Sequence, residues 1–293
     1  MKVLKRYILP LLAAMMLVGC AGTAVAPAQP EEEAAPAQQE QPAEEVAQIP
    51  EAEPVSEPEP EEELPPTPAY DFTQPAPERE AVDNTYFADA AFVGDSRTDG
   101  FMIYSGIGTG KNLTSNGLSI FKLAEKKALK IGAEKYTLLE ALGMDSYGKV
   151  YLCLGVNELG VYDDEGFYNS YLNAIDSIRA IQPQAVIYIQ GLIPINEGEI
   201  AATGGNIHLT NEHLRVYNEL MRKAAQEKQV VYLDLYTEFV DENGELPPGA
   251  SRDGVHLKKD YCKQWLTYLQ THTVDPADLG MPQTENDEES ALL

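Results

Sequence analysis

Ala90-Ala91-Phe92-Val93-Gly94-Asp95-Ser96-Arg97-Thr98-Asp99 is the stretch on which the reading of this chain turns. Its apolar start, cut off at Gly94-Asp95-Ser96, has the pattern of a short buried strand that ends abruptly. Open α/β sheets bind ligands in the crevice outside the carboxyl ends of their strands, so this ending sets the Ser96 hydroxyl where a nucleophile would be wanted. Gly, Asp and Ser are also ordinary turn and helix N-cap residues, and the tripeptide alone decides nothing. The rest of the chain must supply a base, an acid to orient it, and donors for an oxyanion.

Outward from that stretch, strands and helices alternate. Lys149-Val150-Tyr151-Leu152-Cys153-Leu154 reads as a strand that ends at Gly155-Val156-Asn157-Glu158. Ala185–Ile189 and Val230–Asp234 read as two more. A helix capped by Asp163 or Asp164 and stopped before Pro183 shows Tyr171, Leu172, Ile175 and Ile178 on one face. Another, about 210 to 228, presents Leu214, Tyr217, Leu220, Met221 and Ala224 with a 3.6-residue period. A last one, roughly 259 to 271, lines up Tyr261, Trp265, Leu266 and Leu269. Between Gly100 and Gly117 the chain is mixed and Gly-rich, with a polar stretch of helical character after it. Pro194 to about Leu209 reads as one long irregular loop, a length often tied to function. Strands apolar on both faces argue a parallel sheet between helix layers, in one domain spanning about 85–275. In such a sheet Ser96, Asn157, the Pro194 loop and whatever follows Asp234 gather at one rim.

The ends differ in kind from this middle. Lys2, Lys5 and Arg6 precede an apolar run, Ile8 to Val18, too short for a comfortable membrane span, which reads as a signal-peptide core. Leu17-Val18-Gly19-Cys20 resembles the lipobox of bacterial lipoproteins, which implies a lipid-anchored Cys20 after removal of the leader and a cell-membrane location on the extracytoplasmic face. Residues 21–80 are Ala, Pro, Gln and Glu, carry about −15 of the formal net charge of −26, and are expected to form a disordered tether. As a flexible coil, such a segment spans roughly 40 Å. The acidic tail, 276–293, is expected to fray. The middle keeps a charge of about −8, with no basic face for nucleic acid. Cys153 lies in an apolar run and Cys262 in a helical pattern, so both are read as buried packing residues rather than a disulfide.

Four histidines occur: His208, His213, His256 and His272. His208 and His213 are five apart, off a single helical face, and no carboxylate pattern supports a metal site. His256 stands in Arg252-Asp253-Gly254-Val255-His256-Leu257. At three residues' separation in a turn, the Asp253 carboxylate can hold one ring nitrogen and leave the other to accept a proton from a serine. A hydroxyl is too weak a nucleophile at neutral pH without such a base.

Gly94-Asp95-Ser96, Gly117, Gly155-x-Asn157 and Asp253-x-x-His256 follow one another in an order that resembles the SGNH (GDSL-type) hydrolases. The resemblance spans the 90–270 region. It implies a flavodoxin-like three-layer α/β/α sandwich with a mainly parallel sheet, and no cofactor. Carried over by position, it implies Ser96 as nucleophile, His256 as general base and Asp253 as its orienter. It also implies an oxyanion hole from the N–H groups of Ser96 and Gly117 and the Asn157 side-chain amide. Gly117 is taken over Gly100, Gly106, Gly108 and Gly110 because Asn116-Gly117-Leu118-Ser119 best resembles the family's Gly block. Arg97 stands where the motif has Leu, and Glu158 where an Asp often follows the Asn. Asp95 is assigned to shaping the turn. The family points to a serine esterase acting on an ester substrate, and the location suggests an O-acetylated cell-envelope polymer; the protein is expected to be a monomer. An acyltransferase using the same residues, or a surface lipoprotein that only binds glycan, are the alternatives.

Overall fold

The computed structural model describes residues 70–281. Residues 1–69, with the expected leader and Cys20, and the tail from 282 lie outside the described residues, as do the expectations attached to them.

In chain order the elements are β1 (Ala90–Gly94), α1 (Ser96–Tyr104), β2 (Lys111–Thr114), β3 (Leu129–Ile131), β4 (Glu134–Tyr136), α2 (Leu138–Leu142), β5 (Lys149–Cys153), α3 (Asp164–Ile181), β6 (Val186–Gln190), α4 (Glu197–Ala202), α5 (Asn211–Glu227), β7 (Val231–Leu233), α6 (Leu235–Phe239) and α7 (Lys259–Thr271). Five strands form one sheet in the order β2-β1-β5-β6-β7, every neighbouring pair parallel. The helix starts are written in the sequence: Asp95, Asp163 and Thr210 each accept an N–H of the following first turn with their side chains.

Alternation along the strands divides the core. Ala91, Val93, Val150, Leu152, Ile187 and Ile189 pack under α2, α3 and α5 on one face of the sheet. Phe92, Tyr151 and Tyr188 point to the opposite face and pack with Phe101 of α1 and Trp265 of α7. Across the ladder Phe92 stacks on Tyr151 at 4.9 Å and Tyr151 on Tyr188 at 4.6 Å. The aromatic face and the aliphatic face are both covered, so the three-layer α/β/α reading holds. The chain leaves β1 for β2 on one side and returns to β5 on the other, so the topological switch point lies between β1 and β5.

The structure departs from the sequence reading in five places. The Gly-rich stretch holds the edge strand β2, whose four residues bury only Leu113 and so show no apolar signal. The polar stretch read as helical contains the β3–β4 hairpin turned at Gly132. The long loop after Pro194 contains α4, capped by Asn196. Residues 70–80, assigned to the tether, dock on the domain: Tyr70 is buried, Ala76 N–H donates to the Tyr232 carbonyl at 2.9 Å and Arg79 N–H to that of Thr271 at 2.7 Å. The domain edge likewise runs past 275, where Arg79 pairs with Asp278 at 2.9 Å. Isolated apolar residues in a Pro- and Glu-rich segment carry no periodicity, so only the core they dock on reveals them.

Gly94 ends β1 under a tight constraint. A Cβ there would lie 2.2 Å from Thr98 Oγ1 and 2.9 Å from the Cys153 carbonyl oxygen, so β1 can turn into α1 against β5 only without a side chain. Gly94→Ala is expected to cost about 1–3 kcal/mol, the range for overpacking a tight site. Urea denaturation of the variant against the parent measures it.

Candidate active site

Ser96 opens α1, directly after the end of β1. Its Oγ lies 2.8 Å from His256 Nε2, and His256 Nδ1 lies 2.7 Å from Asp253 Oδ2. With Nδ1 carrying the ring proton, Nε2 is free to accept the hydroxyl proton. Asp253 Oδ1 also accepts the backbone N–H of His256 at 2.9 Å and of Val255 at 3.0 Å. Partial burial of Asp253 works against its ionised form, but these hydrogen bonds outweigh it and the carboxyl titrates below its ordinary range.

The 251–257 loop is held from outside. Ser251 and Leu257 form a bridge across its base, and Arg252 N–H donates to the His256 carbonyl at 3.0 Å. Glu199 of α4 accepts Gly249 N–H at 2.7 Å and the Ser251 hydroxyl, and Asn196 N–H donates to the Gly254 carbonyl at 2.9 Å. Gly254 has φ +88°, and a Cβ there would come within 2.4 Å of the Asn196 carbonyl oxygen. The loop and α4 therefore seat against each other only with glycine at that position.

On the other side of Ser96, Asp95 is buried. Its Oδ1 accepts Arg97 N–H at 2.9 Å and its Oδ2 accepts Asn157 Nδ2 at 3.2 Å. Asn157 Nδ2 also donates to the Leu118 carbonyl at 3.0 Å, which brings the end of β5 to the Asn116–Gly117 turn. Gly117 sits there at φ +67° with open space beside it. Glu158, the departure from the family pattern, is fully buried, and its Oε1 accepts the N–H of Ile120. Asn157 and Glu158 thus grip the 117–120 segment together.

Ser96, Gly100, Tyr104, Arg252 and His256 line a cleft of about 310 Å³. Arg97 turns inward instead and donates to the carbonyls of Ile193, at 2.8 Å, and Pro194, tying the end of β1 to the loop after β6. The other histidines are elsewhere: His213 spends its ring nitrogens on Asp164 and the Leu159 carbonyl, and His272 stacks on Tyr268. Cys153 and Cys262 are free and buried. Cys262 reaches the cleft wall, but burial pushes its thiol up to about 11, so it is no thiolate at neutral pH.

Residues 92–260 match the GDSL-like Lipase/Acylhydrolase family. The chain belongs to that family. It is accordingly an ester-hydrolysing enzyme. Among solved structures it is similar to a Streptococcus pneumonia protein named provisionally as a platelet activating factor, at 21% identity and TM-score 0.51, over 65% of this chain and 84% of that one. A GDSL-like lipase from Bacteroides thetaiotaomicron VPI-5482 is similar at 14% identity and TM-score 0.48, over 64% of this chain and 88% of that one. A peptidoglycan O-acetylesterase is similar at 18% identity and TM-score 0.42, over 55% of this chain and 45% of that one. Only the first likeness is close enough to speak for the fold. No curated protein matches the chain.

Of the residues singled out in the sequence, the hydrolase fold brings Ser96, His256 and Asp253 into one hydrogen-bonded chain. It sets Asn157 beside Asp95 and the Gly117 turn. The burial of Glu158, the brace from Glu199 and the inward path of Arg97 escaped the sequence reading, because burial and loop bracing are properties of the assembled fold.

Burial pushes the Glu158 carboxyl up to about 7 and that of Asp95 up to about 6. In the unfolded chain both return to about 4. Between these values the folded domain binds more protons than the unfolded chain, so their contribution is full at low pH and stability falls as pH rises from about 4 to about 7. Glu158→Gln is expected to flatten part of that fall. Unfolding free energies measured from pH 5 to pH 7.5 check it, and a slope equal to the parent's would assign the proton uptake to other groups.

Proposed function

We propose that this hydrolase is a serine esterase in which Ser96 is the nucleophile, His256 the general base and Asp253 the group that orients it. The observation that carries the reading is the continuous path from Ser96 Oγ through His256 to Asp253, at 2.8 Å and 2.7 Å, at the carboxyl end of β1. Ser96 Oγ attacks the ester carbonyl carbon while His256 Nε2 takes its proton. The tetrahedral oxyanion collapses, His256 protonates the departing alcohol oxygen, and an acyl-Ser96 remains. Water then attacks that acyl group and gives a proton to His256; the second tetrahedral intermediate collapses, His256 returns the proton to Ser96 Oγ, and the acid leaves.

The oxyanion would be met by the N–H groups of Ser96 and Gly117 and by Asn157 Nδ2. Ser96 heads α1, where first-turn N–H groups have no intrahelical partner. Asn157 Nδ2 has two hydrogens and two partners, so one contact must yield. The longer one, at 3.2 Å to Asp95, is the natural one to exchange for the oxyanion. Each donor removed costs about 10²–10³ in rate in comparable sites.

The proposed substrate is an O-acetyl ester on a cell-envelope polymer. Its support is the leader ending at Cys20 and the acidic segment after it, which together suit a lipid-anchored enzyme held off a membrane surface.

Ser96→Ala is expected to lose at least about 10⁴-fold in kcat on 4-nitrophenyl acetate with an unchanged circular dichroism spectrum. Asp253→Asn should lose about 10²–10⁴-fold, since the imidazole would no longer be held in the right tautomer. Labelling by a fluorophosphonate probe should vanish in Ser96→Ala and fall steeply in His256→Ala. Turnover by Ser96→Ala equal to the parent's would refute the assignment. Acetate release from an O-acetylated envelope glycan, compared with longer acyl esters, tests the substrate.

A further inference from the structure

One wall of the cleft is a face of α1. Ser96, Gly100, Ile103 and Tyr104 recur at helical spacing and all line it, so the cleft is a trough running from the nucleophile along the helix for about 12 Å at 1.5 Å per residue. The opposite wall is the loop that carries Arg252, Asp253 and His256. A Cβ at Gly100 would meet nothing within 4 Å, so the trough is open along that part of the α1 wall. At its far end the Arg252 guanidinium sits 5.3 Å from the centroid of the Tyr104 ring, with Ile103 60% exposed beside it.

Four charged side chains besides His256 line the trough: Arg97, Asp99, Arg252 and Asp253. Three are committed. Arg97 is spent on the Ile193 and Pro194 carbonyls, and Asp253 on His256. Asp99 accepts from Asn112 Nδ2 at 2.9 Å and from Thr114 Oγ1 at 3.2 Å. Arg252 alone has no hydrogen-bonded or ion-paired partner for its guanidinium among the described residues. A cation resting on a ring face still has its N–H donors available at the rim. Its backbone is bonded to the carbonyl of His256, so its place relative to the base is fixed.

We infer that the trough takes esters whose non-reacting part carries a carboxylate, with Arg252 as its counter-charge. The inference rests on the serine-esterase reading above and names a substrate class for that site. A planar guanidinium fork fits a carboxylate, and a lone arginine suits that single charge better than a phosphate cluster. The middle of the chain that holds the site is itself acidic, at about −8, so its general field repels such a substrate and recognition falls to the local cation.

Two matched pairs of substrates test this on the full domain. On the alcohol side, 4′-acetoxybiphenyl-4-carboxylate is compared with its methyl ester; on the acyl side, 4-nitrophenyl hydrogen suberate with 4-nitrophenyl octanoate, so that the carboxylate can reach the far end of the trough. The reading is the charged-to-neutral ratio of kcat/KM in the parent, Arg252→Gln and Arg252→Lys, which cancels intrinsic reactivity. In at least one pair Arg252→Gln is expected to lower that ratio about tenfold, with Arg252→Lys in between. The pair that responds tells which half of the ester occupies the trough. A ratio unmoved by Arg252→Gln in both pairs, including a case where both members fall together, overturns the inference. If that happens while Ser96→Ala is inactive, the esterase reading stands and only the carboxylate preference is lost; turnover by Ser96→Ala would instead remove the reading beneath it.

Discussion

The buried carboxylate of Asp95 joins two strand ends that are neighbours in the sheet but far apart in the chain. One oxygen caps α1 through Arg97 N–H, and the other accepts the amide of Asn157 beyond β5. Ser96 is the residue between Asp95 and Arg97, inside the capping turn that the first contact closes. Burial without full compensation is costly for a carboxylate and raises its affinity for a proton. The domain carries this group, and Glu158 beside it, because they fix loops that the sheet alone would leave free.

The same logic organises the opposite side of the site. The 251–257 loop has no regular structure, yet it holds both His256 and Asp253. It is fixed by polar bonds from Glu199 and Asn196 and by the close seat of Gly254 against α4. The acid–base pair is only half-buried, with side-chain exposures of 44% and 42%, so its geometry cannot come from packing alone. Hydrogen bonds from rigid neighbours supply it, as an arrangement that must be in place before the substrate arrives requires.

The helix layers serve the site less directly. On one side of the sheet the row Phe92, Tyr151, Tyr188 carries α1 and α7, and so sets the helix that bears Ser96. On the other, Tyr171 and Tyr217 reach from α3 and α5 to the backbone carbonyls of Leu154 and Glu158, steadying the turn that presents Asn157. The two layers meet their tasks at the switch point between β1 and β5.

Much of this was legible in the sequence because it depends on near neighbours. Strands apolar on both faces and helices with one apolar face are local periodicities, and they placed four strands and three long helices. Asp253 and His256 are three residues apart, so a turn is enough to pair them. Other features could not be read that way. β2 is a polar edge strand defined by its partner, and Tyr70 and Ala76 are lone apolar residues defined by the core they dock on. Glu158, Glu199 and Arg97 look like surface charges until the fold surrounds them. The sequence by itself determined the elements and the chemistry available. Only the tertiary structure decided the 2.8 Å approach of Ser96 to a base 160 residues away, because that distance is set by how strands pack.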